Sequence, residues 1–120
     1  MTHPTIELSP HGRTFRYALP NGWSFLMTFG AEADTLRMEG LTGQHAGQVA
    51  DFDVTTAVVA PGVYFVSWIK PDGDSVSHVH DYNSGTVHAF WAAAQGDGTR
   101  IGRVTTGSIH EESTVHDVGL

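Results

Sequence analysis

The sequence contains no cysteine, and it has only 6 lysine or arginine residues against 13 aspartate or glutamate residues. Without cysteine there is no disulfide framework, no thiol nucleophile and no thiolate metal site. With a formal charge of −7 the chain lacks the clustered Lys and Arg that binding a polyanion requires, so no nucleic-acid partner is expected. No run approaches the roughly 20 apolar residues of a membrane helix, and no membrane association is expected. Residues 1–10 show neither a basic start nor an apolar stretch, which points to a cytoplasmic location. Helical apolar stripes are missing as well: the best candidate, Ala92 to Gln95, is too short to matter.

What is present is 120 residues, 40% hydrophobic and 16% charged, enough for one globular domain with its own core. Fourteen glycines punctuate short runs rich in Val, Thr, Phe, Tyr and Trp, the rhythm of an antiparallel β-protein. Strands are predicted at Arg13 to Leu19, Trp23 to Phe29, Thr35 to Leu41, Phe52 to Ala60, Val63 to Lys70, Ser75 to Tyr82, Thr86 to Ala92 and Arg100 to Thr106. Gly40 to Gly47 reads as a loop, and the tail from Ile109 to Val118 as a possible further strand. Each strand lies one hairpin step from the last. A meander of this size either closes or leaves two edges exposed. The expected fold is therefore an all-β, antiparallel, up-and-down barrel of about eight strands. It forms a single domain over residues 1–120, with residues 1–11 as a flexible or covering arm.

The two central hairpins carry the chemistry. Pro71-Asp72-Gly73 and Asn83-Ser84-Gly85 both suit a type I turn followed by a left-handed glycine. If Lys70 opposes Asp74 and Tyr82 opposes Thr86, one sheet face gathers Tyr64, Trp68, His78, His80, Tyr82, His88 and Phe90. Aromatic rings supply apolar area with polar tips, and histidine donates, accepts or moves a proton near neutral pH. This face is expected to bind a small, flat organic ligand, with Tyr64, Trp68, Tyr82, His88 and Phe90 as contacts. His78 and His80 are the acid–base candidates for isomerase, cyclase or lyase chemistry without a cofactor. The alternatives are a ligand carrier or interaction module without catalysis, histidines satisfied within a core, and a metal held by His78, His80 and His88. A metal is not favoured. A His-x-His pair on one strand is common, and the Glu that follows such a pair in cupins is absent between His80 and His88.

Other constellations carry less. His110 with Glu111 and Glu112 can approach a barrel mouth, and Ser77 or Ser108 near a histidine lacks the nucleophile-elbow pattern. Val63 to Ile69 is apolar on both faces, so both sides call for burial. Either a second copy of the chain covers its outside, giving a homodimer, or the N-terminal arm or the Gly40 to Gly47 loop does.

Taken together, Val63-Tyr64-Phe65-Val66-Ser67-Trp68, Pro71-Asp72-Gly73 and Val76-Ser77-His78-Val79-His80-Asp81 resemble the MoaF-like group of small calycin domains. Gly12-Arg13-Thr14-Phe15 with Asn21-Gly22 resembles their start. The resemblance implies a lipocalin-like barrel with an internal cavity, and it makes Trp68, His78 and Asp81 positions of the shared motif. Phenolic acid decarboxylases share that general barrel and act on aromatic acids without a cofactor. Their catalytic pattern is not found here, so no catalytic residue is carried over from them.

Overall fold

The computed structural model describes residues 8–112, and these form nine strands and almost no helix. The strands are β1 (Thr14–Ala18), β2 (Ser24–Phe29), β3 (Thr35–Gly40), β4 (Val49–Asp53), β5 (Thr55–Ala60), β6 (Val63–Ile69), β7 (Ser75–Asp81), β8 (Thr86–Ala94) and β9 (Arg100–Glu111). All pairings are antiparallel, and the sheet order is β4-β3-β2-β1-β9-β8-β7-β6-β5. Followed around the sheet from β1, this is an up-and-down meander in which the last strand returns to the first. The result is the expected all-β antiparallel barrel, nearly closed.

The seam lies between β4 and β5, the two edges of the sheet. A single residue, Val54, carries the chain from one edge to the other, with its N–H donating to the Asp34 carbonyl (2.9 Å). The run Phe52 to Ala60, predicted as one strand, is thus split by a buried valine, and β4 begins three residues earlier, at Val49. Two more expectations shift. Ala92–Ala94 continues β8, and β9 runs unbroken to Glu111, so Ile109 belongs to it. The rest of the predicted tail strand, residues 113–118, lies outside the described residues.

Three hairpins use one device. Pro20-Asn21-Gly22, Pro71-Asp72-Gly73 and Gly96-Asp97-Gly98 each close between flanking residues, with the glycine at positive φ (91°, 90° and 89°). In each, the middle side chain accepts a hydrogen bond from the N–H two residues on (2.9, 2.9 and 3.0 Å). The short Asn or Asp side chain mimics a backbone turn, and glycine enters the left-handed region without a Cβ clash.

Alternation along the strands places Phe15, Tyr17, Met27, Phe29, Leu36, Val66, Trp68, Val87 and Ile109 inside, all buried. Each such side chain contributes roughly 1.5–3 kcal/mol by leaving water. Closure depends on β1 meeting β9, where Tyr17 pairs with Ile109 and Ala18 with Ser108. Gly107 permits this approach: a Cβ there would collide with the Ala18 carbonyl oxygen and lie 3.3 Å from the Tyr17 ring.

Gly107→Ala should therefore lower stability by about 1–3 kcal/mol, the usual cost of overpacking. Gly96→Ala, where a Cβ meets nothing within 4 Å, should stay within about 0.5 kcal/mol of the parent. Urea unfolding at neutral pH checks both. Equal midpoints for the two variants would contradict the described closure.

Candidate functional site

On β7, His78 and His80 alternate with outward residues and point into the barrel, opposite Val66 and Tyr64 of β6. Both imidazoles are buried, at 3% and 0% exposure. His78 Nδ1 lies 3.0 Å from His80 Nε2, and His80 Nδ1 lies 3.1 Å from the Tyr82 hydroxyl. A neutral imidazole has one N–H and one lone pair, so the three groups are ordered in one of two ways. In the first, Tyr82 O–H donates to His80 Nδ1, and His80 Nε2–H donates to His78 Nδ1. In the second, His78 Nδ1–H donates to His80 Nε2, and His80 Nδ1–H donates to the Tyr82 oxygen. One order converts to the other when a proton enters at one end and another leaves at the far end. The three groups form one hydrogen-bonded wire.

The surroundings keep the wire neutral. Trp68 stands edge-on to His78 with ring centroids 4.9 Å apart, Tyr17 packs at 5.3 Å, and Phe29 lies edge-on to His80 at 6.1 Å. Phe15 stacks on Tyr82 at 4.6 Å with ring planes 9° apart. Loss of hydration pulls His78 down to about 4 from the ordinary 6.5. His80 is held well below its ordinary value by the same desolvation, and then by the neighbouring His78. Burial also raises both phenols, Tyr17 to about 12 and Tyr82 upward, with Tyr64 adding to the latter. At neutral pH these groups donate and accept hydrogen bonds without carrying charge.

The wire ends at a recess of about 270 Å³ in the barrel mouth. Phe15, Tyr82 and Ile109 form its apolar wall, Leu8 borders it, and His110 and Glu111 stand at its rim with the 83–85 turn. Glu111 is in reach of Arg13 (3.6 Å). A second, open depression of about 560 Å³ lies on β2, β3 and β4 beside the Arg37–Asp51 ion pair and includes none of the wire residues. The barrel centre itself is filled, with Phe15, Met27, Val66, His80 and Val87 at 0% exposure. The internal cavity implied by the family resemblance is, around the imidazoles, occupied by side chains.

Of the residues singled out from sequence, Tyr64, Trp68, His78, His80 and Tyr82 come together inside, with Tyr64 half-buried 6.0 Å from the Tyr82 ring. His88 and Phe90 do not. In the β7–β8 hairpin Asp81, and not Tyr82, pairs with Thr86, so His80 faces Val87 and His78 faces Ala89. This one-residue slip turns His88 and Phe90 to the outer surface. There His88 Nδ1 meets Thr106 Oγ1 at 3.0 Å, and Phe90 lies over Gly102. The cause is a four-residue turn, Tyr82 to Gly85. Its Asn83 and Ser84 N–H groups donate to the Asp81 carboxylate (3.0 and 3.2 Å), and the Gly85 N–H donates to the Asp81 carbonyl at 2.9 Å.

Asp81 is thus a turn-forming residue, and the Ser84 N–H holds its carboxyl below the ordinary range. The three-histidine metal set His78, His80 and His88 fails on the same geometry, because His88 lies across the sheet from the other two. Among the described residues no three His, Cys, Asp or Glu side chains converge on a possible ion. Sequence reasoning missed Phe15, Tyr17 and Phe29 as walls of the site. Their alternation marked them as one face of β1 and β2, but nothing local told that this face meets β7. One buried donor, Trp68 Nε1–H, has no acceptor in the structure. Such an orphan commonly marks a place for a water or a ligand oxygen.

The buried imidazoles make stability depend on pH in a defined direction. The unfolded chain takes up protons at histidine below about pH 6.5, whereas folded His78 resists until about pH 4. Stability is therefore full above pH 6.5 and falls as the pH drops through that window, by roughly 3 kcal/mol for His78 alone. Urea unfolding between pH 7 and pH 4.5 should show this loss, and His78→Gln should reduce it, leaving the part that buried His80 contributes. A pH-independent midpoint in the parent protein would contradict the buried, neutral assignment.

Among the described residues no helix is long and apolar enough to cross a membrane. No curated protein matches this sequence. Among solved structures, one similar chain is a Burkholderia vietnamiensis protein described as "a putative beta-lactamase". It is 24% identical, and the alignment covers 90% of this chain and 100% of that one, with a TM-score of 0.75. At that identity the likeness shows a shared fold. The model of the MoaF-like family matches residues 11–109, a span that includes β1 to β8, the wire and most of β9. The chain belongs to the MoaF-like family.

Proposed function

We propose that this barrel binds a small, neutral organic molecule at its mouth and exchanges a proton with it through Tyr82, His80 and His78. The observation that carries this reading is the hydrogen-bonded chain of three neutral titratable groups whose last member, Tyr82, lines a recess of about 270 Å³. A buried polar chain is costly to assemble, and a purely structural core would be cheaper with apolar side chains. Its two proton orders give it a use: with Tyr82 O–H turned to His80, the phenol oxygen can accept from a ligand hydroxyl, and with His80 Nδ1–H donating to Tyr82, the phenol O–H can donate to a ligand carbonyl. The recess suits a small ring with a carbonyl or phenol oxygen, since Tyr82, backed by the stacked and fully buried Phe15, borders it and His110 gives a polar rim. The chemistry is then isomerisation, cyclisation or elimination by general acid–base transfer, with no cofactor required. A ligand carrier that only uses the aromatic wall is the alternative within this reading.

The test uses cyclic α,β-unsaturated ketones and simple phenols as probes, followed by NMR for binding and for hydrogen–deuterium exchange into the probe in heavy water. The parent protein should bind at least one of them and accelerate exchange. Tyr82→Phe keeps the stack on Phe15 and removes the hydroxyl, so it should slow exchange about 100-fold or more while leaving affinity within a few-fold. Phe90→Ala, on the outer surface, should leave both unchanged. Binding with no exchange in any variant would reduce the protein to a carrier, and no binding at all would overturn the proposal.

A further inference from the structure

The outer surface of the barrel is divided sharply by charge. Around β3 and β4 it carries Arg37, Glu39, Asp51 and Asp53, all exposed. On the opposite side, β6 to β9 hold a four-by-four block of outward positions in register, with Asp81 as its one charged side chain, at a corner, and the Arg100–Asp74 pair (3.6 Å) just beyond its edge. That carboxylate is already engaged by the N–H groups of its own turn. In place of charge this side exposes large apolar groups: Phe65 at 37%, Ile69 at 72%, Phe90 at 42% and Val104 at 69%.

The inward side of these strands already packs against the core, so folding does not require an apolar outside. Nor, among the described residues, do the neighbouring segments cover it. The Gly40 to Gly47 loop packs instead on Trp23 and Phe25 through His45, with ring centroids 5.3 and 6.0 Å apart. On the other flank, Leu8 borders the mouth recess beside Phe15 and Tyr82.

We infer that this face is the interface of a homodimer in which β6–β9 of one copy stack on β6–β9 of a second. Charge selects the occupant. Each chain carries a net −7, so two copies approach closely most readily through a surface nearly free of carboxylates, and on this one Asp81 alone stands, at a corner and held by its own turn. A strongly charged partner would find nothing to pair with. Size fits as well. Strands ~4.8 Å apart, with outward residues ~6.8 Å apart, give a four-by-four face of about 500 Å², or about 1,000 Å² for two copies, near the lower bound of a specific interface. A two-fold axis makes one face complement itself, with the two sheets about 10 Å apart and Phe65, Phe90 and Val104 interdigitating at the centre.

Sedimentation equilibrium over about 5–200 µM tests this. The parent chain should reach twice its 12.9 kDa at the upper end. Ile69→Lys and Val104→Lys each place a charge at the most exposed apolar positions, and each should return the mass to that of one chain without lowering the melting temperature. Arg37→Glu, on the charged side, should still dimerise. A parent protein that stays monomeric throughout would overturn the inference, as would a dimer indifferent to both lysine variants. Lysine variants that melt markedly lower while the parent is monomeric would show that the chain's own ends cover the face, again overturning it.

Discussion

Placing two imidazoles side by side in an apolar barrel takes water away from their nitrogens, and the structure answers by hydrogen-bonding three of the four, one on His78 and both on His80. His78 Nδ1 to His80 Nε2 at 3.0 Å and His80 Nδ1 to the Tyr82 hydroxyl at 3.1 Å form one continuous chain. Everything around it follows from keeping that chain dry and neutral. Phe15 stacks on Tyr82, Trp68 and Tyr17 enclose His78, and Phe29 caps His80. A charge on either ring would be strongly disfavoured there, so the pair works through hydrogen-bond order and not through electrostatic attraction. Strand alternation puts His78 and His80 of β7 on one side, and Tyr82, the first residue of the turn, follows on that side within reach of His80.

The barrel supplies the apolar wall by bringing distant segments onto that one face. β1 closes on β9 through the close approach at Gly107, and this is what sets Phe15 and Tyr17 against residues that follow them by more than sixty positions. The seam at Val54 allows β4 and β5 to belong to opposite edges while remaining adjacent in sequence. Closure of a curved sheet therefore makes the site; no single hairpin contains it.

The strand pattern, the up-and-down order and the β6–β7 register were legible because local chemistry determines them. Pro71-Asp72-Gly73 has its acceptor side chain in the middle and its left-handed glycine last, so Lys70 had to meet Asp74 and Val66 had to meet His78. The β7–β8 turn looked alike, with Asn83 and Gly85 in similar places. There, however, the side-chain acceptor is Asp81, one residue before the loop, so Tyr82 joins the turn and the partner strand slips by one. In a sheet a slip of one exchanges inside for outside, and His88 and Phe90 moved accordingly. The break at Val54 was hidden because a buried valine within a Thr- and Val-rich run looks like any strand residue. The long-range partners Phe15, Tyr17 and Phe29 carried no local sign of which strand they would face.

Assignment of the two ring nitrogens of His78 and His80 by long-range ¹H–¹⁵N NMR, followed as the pH falls from 7 to 4.5, tests the central claim most directly. A single neutral tautomer is expected for each ring, the two coupled head to tail, with no imidazolium signal above about pH 5. Imidazolium forming at both rings near pH 6.5, with tautomers averaged as in free histidine, would contradict it.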